Sequence, residues 1–378
     1  MYLMIRSIFI ILMVGTILAV TFILWATKSI LKSNNKPSIP SPSVSISTQN
    51  QKTEIVAQNL EVPWAIAFLS DGSMLVTERA GRIRHIEDGK ITNTFTIEQV
   101  LEIGEGGLQG ITLHPYFESN KYLYVYYTYR SEGNNTFNRV ARYKLESKSL
   151  VDEKIIVDRI PGASNHDGGR IKFGPDGLLY IGTGDAQNPS QAQDTKTLGG
   201  KILRVNDDGK IPADNPFGNA VYSYGHRNVQ GLAWDSSGNL WSTEHGRSGV
   251  ASGYDEINLI EKGKNYGWPD IEGAETQTGI ESPKRQSGAT TTWAPAGAAF
   301  INNSFFFGGL RGQTLYEAII DGGKVTDFKE HFKGEYGRIR EVILGPDNFL
   351  YITTSNRDGR GLPQNNDDKI MRINIDKL

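Results

Sequence analysis

A pattern of strands and turns that returns six times constrains the fold of this chain more than any other feature. Each copy has an apolar strand, a turn with Asp-Gly or an equivalent, an aromatic or aliphatic strand, and a Gly-rich or polar loop. Successive turns lie roughly 45 to 65 residues apart, a spacing that suits four-stranded blades with insertions in some loops. The copies are PWAIAFLSDGSMLVTER, LQGITLHPYFESNKYLYVYY, GGRIKFGPDGLLYIGTGD, VQGLAWDSSGNLWSTEHG, AGAAFINNSFFFGGL and IREVILGPDNFLYITTSN.

These repeats predict an all-β fold, a six-bladed β-propeller. Helical periodicity, which a doubly wound α/β fold would need between its strands, is nearly absent from the repeats. The segment TEIVAQNL before the first copy is predicted to pair with the last blade and close the ring, which removes the free sheet edges. Third and fourth strands are predicted in segments such as GRIRHIEDG, NRVARYKLES, GGKILRVND, DEINLIEKG, QTLYEAIIDGG and DKIMRINI.

The N-terminal region does not share the repeat. Residues 8–26 form an apolar run that is long enough to cross a bilayer as one transmembrane helix, and the following WATKS is a poor signal-cleavage site. The next segment is rich in Ser, Pro, Asn, Thr and Gln, which predicts an extended tether. We expect a membrane anchor or signal in residues 1–30, a disordered linker in 31–52 and an extracytoplasmic propeller in 53–378.

Composition excludes several classes of chemistry. The sequence has no cysteine, which rules out disulfides, zinc thiolate sites, iron–sulfur clusters and thiol catalysis. Any redox chemistry must therefore come from a cofactor. The formal net charge is −2 and residues of both signs are interspersed, so nucleic acid is not expected as a partner.

Charged and amide side chains stand at the start of the innermost strand in several copies. Because equivalent positions of a propeller face the axis at the same end, we expect these side chains to converge on one mouth of the central channel. They are Glu105, His166, Arg227, Asn228, Gln230, Arg338 and Arg340.

Four blocks carry a resemblance to a known family: NHDGGRIKFGPDGLLYIGTGD, YGHRNVQGLAWD, DEINLIEKGKNYGWP and GRIREVILGPDNFLYITTSN. In this order they resemble the soluble glucose and aldose sugar dehydrogenases that depend on pyrroloquinoline quinone (PQQ), and the likeness extends from about Val56 to Ile375. The resemblance implies PQQ and Ca²⁺ as cofactors and an aldose as substrate. The sugar would be oxidised at C1 to the lactone by hydride transfer to the quinone, with an electron acceptor that the sequence does not identify.

The candidate general base is His166, because an imidazole titrates near neutral pH and can take the proton of a sugar hydroxyl as hydride leaves. Asp185, at the end of the following strand, could accept the other ring N–H and fix the tautomer. The resemblance places Arg227 near the reactive quinone carbonyl and implies that Asn228 and Gln230 hydrogen-bond the cofactor.

PQQ is a planar tricarboxylate, and guanidinium groups pair with carboxylates through parallel hydrogen bonds. Arg338 and Arg340 therefore join Arg227 as candidate cofactor ligands. Arg311 is a further candidate, and it stands where the glucose dehydrogenases of the family have lysine. The alternative for these arginines is pairing with surface acids across blades.

Calcium is implied because the quinone carbonyl needs a Lewis acid to accept hydride. The resemblance puts the ion on the backbone carbonyls of Gly246 and Arg247. Arg247 replaces a proline of the glucose enzymes, so its side chain must point away from the ion. Asp255 and Glu256 follow, and Glu256 is a possible ligand of a second calcium ion, although closing the blade is the favoured role of this pair.

Glu105 is the candidate substrate residue, because it stands where a glutamine contacts the sugar in the glucose-specific enzymes. Two other functions stay open. A calcium-dependent sugar lactonase also uses a six-bladed propeller, but its metal would need several carboxylate and amide ligands rather than a ring of arginines. A non-catalytic extracellular binding propeller is the other alternative.

Overall fold

The computed structural model describes residues 52–249 and 252–378, and these form six antiparallel four-stranded sheets. The fold is an all-β six-bladed propeller, as predicted. The predicted transmembrane span and nearly all of the linker lie outside the described residues. In the part that is described, no helix is long and apolar enough to cross a membrane.

The strands follow the chain blade by blade. Blade 1 contains β2 (Pro63–Phe68), β3 (Met74–Glu78), β4 (Arg82–Glu87) and β5 (Lys90–Thr96). Blade 2 contains β6 (Leu108–Leu113), β7 (Tyr122–Arg130), β8 (Thr136–Leu145) and β9 (Leu150–Pro161), with a short helix α1 (Phe117–Asn120) after β6. Blade 3 contains β10 (Ile171–Phe173), β11 (Leu179–Gly182), β12 (Lys201–Val205) and β13 (Val221–Tyr224).

The second half of the ring has the same order. Blade 4 contains β14 (Val229–Trp234), β15 (Leu240–Glu244), β16 (Glu256–Ile260) and β17 (Arg285–Gln286). Blade 5 contains β18 (Pro295–Ile301), β19 (Ser304–Gly309), β20 (Thr314–Asp321) and β21 (Lys324–His331). Blade 6 contains β22 (Ile339–Leu344), β23 (Leu350–Thr354), β24 (Ile370–Ile373) and the N-terminal strand β1 (Thr53–Ala57).

The ring is closed by β1, which pairs antiparallel with β24 in the register Thr53 to Ile373 and Ile55 to Met371. The predicted closing strand is thereby confirmed. It gives the last blade its fourth strand and leaves β24 without a free edge.

The turn between the first two strands of a blade explains why the Asp-Gly signal repeats. Gly177 adopts a φ of 75°, a conformation that favours glycine, and Asp176 accepts a hydrogen bond of 3.0 Å from the Tyr180 hydroxyl on the following strand. In the last blade Asp347 and Tyr351 form the same contact at 3.0 Å. One aspartate thus joins the turn to the buried aromatic residue of the next strand.

Neighbouring blades are joined near the axis by threonines of the second strands. Each donates a hydrogen bond to a backbone carbonyl of the innermost strand in the next blade. The pairs are Thr77 with Gln109 (2.6 Å), Thr243 with Ala296 (2.7 Å) and Thr353 with Pro63 (3.1 Å). These contacts fix the inner strands relative to one another, so the loops at their ends also have fixed positions.

The outermost strands are the part of the fold that the sequence pattern predicts least well. The six segments predicted to hold third and fourth strands contain only the third strands. In β5 only Phe95 is buried, and β21 has no buried residue. A strand at the rim contacts one neighbouring strand and much solvent, so it carries little of the apolar alternation that identifies a strand.

Candidate active site

A cleft of about 450 Å³ opens at the end of the propeller where the chain enters each innermost strand. Loops ahead of β6, β10, β14 and β22 reach this end, as do the loops that follow β11, β15, β19 and β23. Nine of the predicted site residues line the cleft: Glu105, His166, Arg227, Gln230, Gly246, Arg247, Arg311, Arg338 and Arg340. The remaining three, Asp185, Asn228 and Glu256, do not line it.

Two of these three residues lie directly behind the cleft wall. Asp185 is fully buried and contacts His166, and Asn228 accepts a hydrogen bond of 2.9 Å from the Gly168 N–H in the loop that carries His166. Glu256 lines a much smaller neighbouring cavity. Gln230 and Arg340 lie within β14 and β22 rather than ahead of them.

His166 is held at both ring nitrogens. Its Nδ1 lies 2.8 Å from an Asp185 oxygen, and the other oxygen of Asp185 accepts a hydrogen bond of 2.9 Å from the Trp268 indole N–H. Its Nε2 lies 2.9 Å from Nη2 of Arg227. Because a guanidinium only donates and an ionised carboxylate only accepts, Nδ1 carries the proton and Nε2 presents a lone pair. That lone pair is what a general base requires.

Arg227 forms the adjoining part of the wall. Its Nη2 also donates to the Ser248 hydroxyl at 2.9 Å, and its Nε is buried with no hydrogen-bond partner among the described residues. Burial lowers the pKa of Arg227, while the charges of Asp185 and Glu105 act in the opposite direction. The unpartnered Nε–H marks this guanidinium as a donor that a bound acceptor can satisfy.

Arg338 and Arg340 share one carboxylate on the opposite side of the cleft. Arg338 donates from Nε and Nη2 to Asp358 at 2.8 Å, and Arg340 Nη2 lies 3.7 Å from the same Asp358 oxygen. Burial would raise the pKa of Asp358, but Arg338 and Arg340 lower it. Burial lowers the pKa of Arg340 to about 10, so it stays protonated at neutral pH. Two guanidinium groups against one carboxylate leave a net positive charge here.

Arg311 extends this positive region. Its Nη1 donates to the Ser252 hydroxyl at 2.8 Å and to the Gly249 carbonyl at 3.4 Å. Both partners are neutral, so these contacts do not compensate the charge of the guanidinium. Neither contact is an ion pair across blades, which was the alternative role for Arg311.

The loop after β15 carries the two predicted calcium carbonyls. The Gly246 N–H donates to Asp255 at 2.9 Å, and the other Asp255 oxygen accepts from the Thr292 hydroxyl and from the N–H groups of Trp293 and Ala294. Asp255 therefore joins this loop to the loop ahead of β18. The blade-closing role that the sequence favoured for the Asp255–Glu256 pair stays a prediction.

The Arg247 side chain is compensated by its own partners. Its Nε lies 3.1 Å from Glu272, and its guanidinium lies over the Tyr254 ring at 4.7 Å from the centroid. Glu272 thus offsets the charge of the Arg247 guanidinium beside the loop.

Glu256 is half-buried and lies near a second carboxylate, Glu244. Burial and the charge of Glu244 raise the pKa of Glu256 well above its usual range, and Asn258 donates to both residues. In residues 52–249 and 252–378, no group of three or more His, Asp or Glu side chains is arranged to hold a metal ion.

Glu105 is paired with a residue that the sequence did not single out. One oxygen accepts from Arg360 Nη1, and the other accepts from the His166 N–H at 3.0 Å. Burial would raise the pKa of Glu105, but His245, Arg360 and the His166 N–H outweigh it and lower the pKa to about 2. Burial also lowers the pKa of His245 to about 4, so at neutral pH the cation that faces Glu105 is Arg360.

Four residues that shape the cleft were missed in the sequence: Trp268, Asp358, Arg360 and His245. A signal for Asp358 and Arg360 does exist, because both lie in the segment SNRDGRG, which follows the second strand of blade 6. The segment GTGD, which ends with Asp185, has the equivalent position in blade 3. No comparable signal points to Trp268 or to His245, whose Nε2 is buried without a partner among the described residues.

Comparison with known proteins places the chain among sugar dehydrogenases. The family described as Glucose / Sorbosone dehydrogenase matches residues 60–364. An aldose sugar dehydrogenase of Escherichia coli (strain K12) is 32% identical over 81% of this chain and 90% of its own length. Quinoprotein glucose dehydrogenase B of Acinetobacter calcoaceticus is 33% identical over 64% of this chain and 57% of its own length.

Solved structures agree with the sequence comparison. The PQQ-bound aldose sugar dehydrogenase of Streptomyces coelicolor superimposes with a TM-score of 0.79 at 38% identity. That match covers 85% of this chain and 97% of the Streptomyces chain. The fold is therefore shared over nearly the whole described region.

Proposed function

Because this chain belongs to the Glucose / Sorbosone dehydrogenase family, we propose that it oxidises aldose sugars at C1 to the lactone with PQQ and calcium. The observation that carries the proposal is the pairing of two features in one cleft. A histidine with a fixed lone pair, His166, faces a group of arginines whose charge exceeds that of their carboxylate partners. A proton acceptor and an anion-binding surface are what sugar oxidation by an anionic cofactor requires.

The cleft residues fit the cofactor. PQQ, when bound, supplies the quinone that accepts hydride. Arg338, Arg340 and Arg311 would hold its carboxylates, since their positive charge is only partly compensated within the protein. Arg227 would donate to the quinone side through its unpartnered Nε, with Asn228 and Gln230 as further hydrogen-bonding groups.

Proton transfer is assigned to His166. Its Nε2 would accept the C1 hydroxyl proton of the sugar, once the substrate hydroxyl replaces Arg227 Nη2 as the hydrogen-bond donor. Asp185 keeps the proton on Nδ1 and stabilises the imidazolium that forms. Trp268 holds Asp185 in turn through its indole N–H. Glu105, at the mouth, would hydrogen-bond the sugar hydroxyls.

For calcium we propose the carbonyl oxygens of Gly246 and Arg247. The pairing of the Arg247 side chain with Glu272 supports this assignment, because it removes a bare positive charge from beside the ion. Glu256 is proposed to have a structural role with Asn258 rather than to bind a second calcium ion.

The test is reconstitution. Protein purified without cofactor should be inactive and should gain dye-linked aldose oxidation when PQQ and Ca²⁺ are added together, while nicotinamide cofactors should not replace PQQ. Hydrolysis of a sugar lactone without aldose oxidation would support the lactonase. Absence of both activities in a protein that still binds sugar would support a binding propeller.

The domain organisation is also a proposal. Residues 1–30 would anchor or target the chain, residues 31–52 would tether it, and the propeller over 53–378 would lie on the extracytoplasmic side. Removing residues 1–50 should leave an active propeller with unchanged PQQ affinity, because the first strand of the ring begins at Thr53. Aggregation or inactivity of this fragment would show that the removed segment is needed by the fold.

A further inference from the structure

The mouth of the cleft contains an ion pair that links three blades. Arg360, in the loop after β23, donates from Nη1 to Glu105 ahead of β6 and from Nη2 to the Asn165 side-chain carbonyl ahead of β10 at 2.7 Å. The Arg360 side chain is 54% exposed and that of Glu105 is 17% exposed. The guanidinium therefore reaches over a largely buried carboxylate from the solvent side.

Both members of the pair retain free hydrogen-bonding capacity. A guanidinium has five N–H groups, and the two contacts of Arg360 leave the others free to donate. Each Glu105 oxygen accepts one hydrogen bond from the protein, from Arg360 or from His166, and has a further lone pair. Donors and acceptors side by side suit neighbouring sugar hydroxyl groups, each of which both donates and accepts.

The charges of the pair cancel, and this limits what the mouth can select. A sugar that carries a carboxylate meets a guanidinium already paired with Glu105, and it also meets the negative charge of Glu105 itself. An uncharged sugar is not repelled by Glu105, and it needs no unpaired guanidinium to bind. The pair is thus suited to neutral sugars, although its exposed side is partly screened by salt.

We propose that Arg360 is a specificity-determining residue, which with Glu105 forms a sugar subsite for uncharged aldoses and which binds acidic aldoses once Glu105 is neutralised. This inference rests on the proposed aldose oxidation and assigns a part of the same cleft. In the Glu105→Gln variant the amide can still accept from the His166 N–H, while Arg360 is left with a free charge for a carboxylate.

The experiment compares glucose with glucuronate, which differ only at C6. We expect kcat/KM for glucuronate relative to glucose to rise about tenfold or more in Glu105→Gln, mainly through KM, because a free guanidinium pairs strongly with carboxylate. In Glu105→Gln/Arg360→Gln the ratio should return to the wild-type value. In Arg360→Gln it should fall below wild type, because an unpaired Glu105 repels the acid.

The control is an ion pair at the other end of blade 2. Lys121 and Glu118 lie 2.8 Å apart and are exposed, and neither lines the cleft. Lys121→Gln and Glu118→Gln should leave the ratio unchanged. A ratio that is equal in wild type, Glu105→Gln and Arg360→Gln would overturn the proposal.

A binding measurement separates this inference from the proposed function. Calorimetric titration of the cofactor-free protein with glucuronate should show tighter binding to Glu105→Gln than to wild type, and the gain should vanish in the double variant. If no aldose is oxidised but this gain is seen, the catalytic proposal fails and the subsite stands. If aldoses are oxidised but neither binding nor ratio changes, the subsite fails alone.

Discussion

The two sides of the cleft are made of the same kind of loops but differ in how their polar groups are satisfied. On one side Asp185 accepts from His166 and from Trp268, and His166 meets Arg227. On the other side Arg338 and Arg340 share the single carboxylate of Asp358. We call the first the base side and the second the anion side.

This difference indicates which side depends on a bound molecule. On the base side, groups of the protein alone hold both ring nitrogens of His166, so this arrangement does not depend on a bound molecule. The anion side has more positive than negative charge, and a bound anion would complete it. Variants on the two sides should therefore affect different quantities, turnover on the base side and cofactor affinity on the anion side.

The largest effect is expected for His166→Gln. Turnover at saturating PQQ should fall by roughly 10² to 10⁴-fold, the usual contribution of a positioned general base, while PQQ affinity stays close to wild type. Steady-state kinetics and absorbance titration with PQQ measure the two quantities. His331→Gln is a matched control, because His331 also contacts a carboxylate, Glu317, but lies on the outermost strand of blade 5. Near-normal turnover of His166→Gln would show that the assignment is wrong, and the general base would then be sought at Glu105 or Asp185.

Arg227→Ala should affect both turnover and PQQ affinity, because Arg227 contacts His166 and is also assigned to the quinone. Turnover should fall by about 10² to 10³-fold, as for loss of a donor to a developing negative charge, and PQQ should bind more weakly. The same titration and kinetics apply. A loss of affinity with unchanged turnover would assign Arg227 to the anion side.

Arg338→Ala should weaken PQQ binding by about 1.5 to 3 kcal/mol, the range for a hydrogen bond to a charged group, with turnover largely recovered at saturating PQQ. Arg372→Ala is the control, since Arg372 belongs to the same blade and pairs with Asp347 at the opposite end. Removing Arg338 also leaves Asp358 with less compensation, so Arg338→Ala/Asp358→Asn should be measured beside it. Full recovery in this double variant would attribute the loss to Asp358 rather than to a missing ligand.

The smallest effect is a pH dependence at the mouth between the two sides. The pKa of Glu105 is lowered from 4.5 to about 2, so its contribution to folding is complete above about pH 4.5 and is lost as pH falls towards 2. Because Arg360 is more than half exposed, Arg360→Gln should lower the free energy of unfolding by only about 0.5 to 1 kcal/mol at pH 7. Urea unfolding of wild type and Arg360→Gln at pH 7 and about pH 2 should show a smaller difference in the free energy of unfolding near pH 2, where Glu105 becomes protonated in the folded protein. An equal difference at both values would rule out the ion pair as its cause.

Much of the fold is readable from the sequence because the blade repeats a local pattern. The apolar strands, the Asp-Gly turns and the closing strand before Pro63 all follow from residues that are close in sequence or equivalent between copies. The outer strands do not, since β5 and β21 are mostly exposed and lack the apolar alternation. The convergence of Glu105 and His166 on one cleft follows from the ring symmetry of the fold.

The contacts within the cleft are less predictable. The pairing of Arg360 with Glu105, and of Trp268 with Asp185, joins loops of different blades through long side chains. Such contacts depend on the conformations of non-repeating loops, which have no periodic pattern. The roles of Arg338 and Arg340 stay predictions, although the structure shows that Asp358 already holds both.

The pairing of β1 with β24 has a consequence for biosynthesis. Thr53 leaves the ribosome before any blade is made, and its partner Ile373 is synthesised only after the first five blades. The outer strand of blade 6, β1, is therefore made first and has no partner until β24 has been synthesised, so the ring cannot close before then. Closure pairs strands from the two ends of the domain, which are far apart in sequence, so it must follow the synthesis of β24.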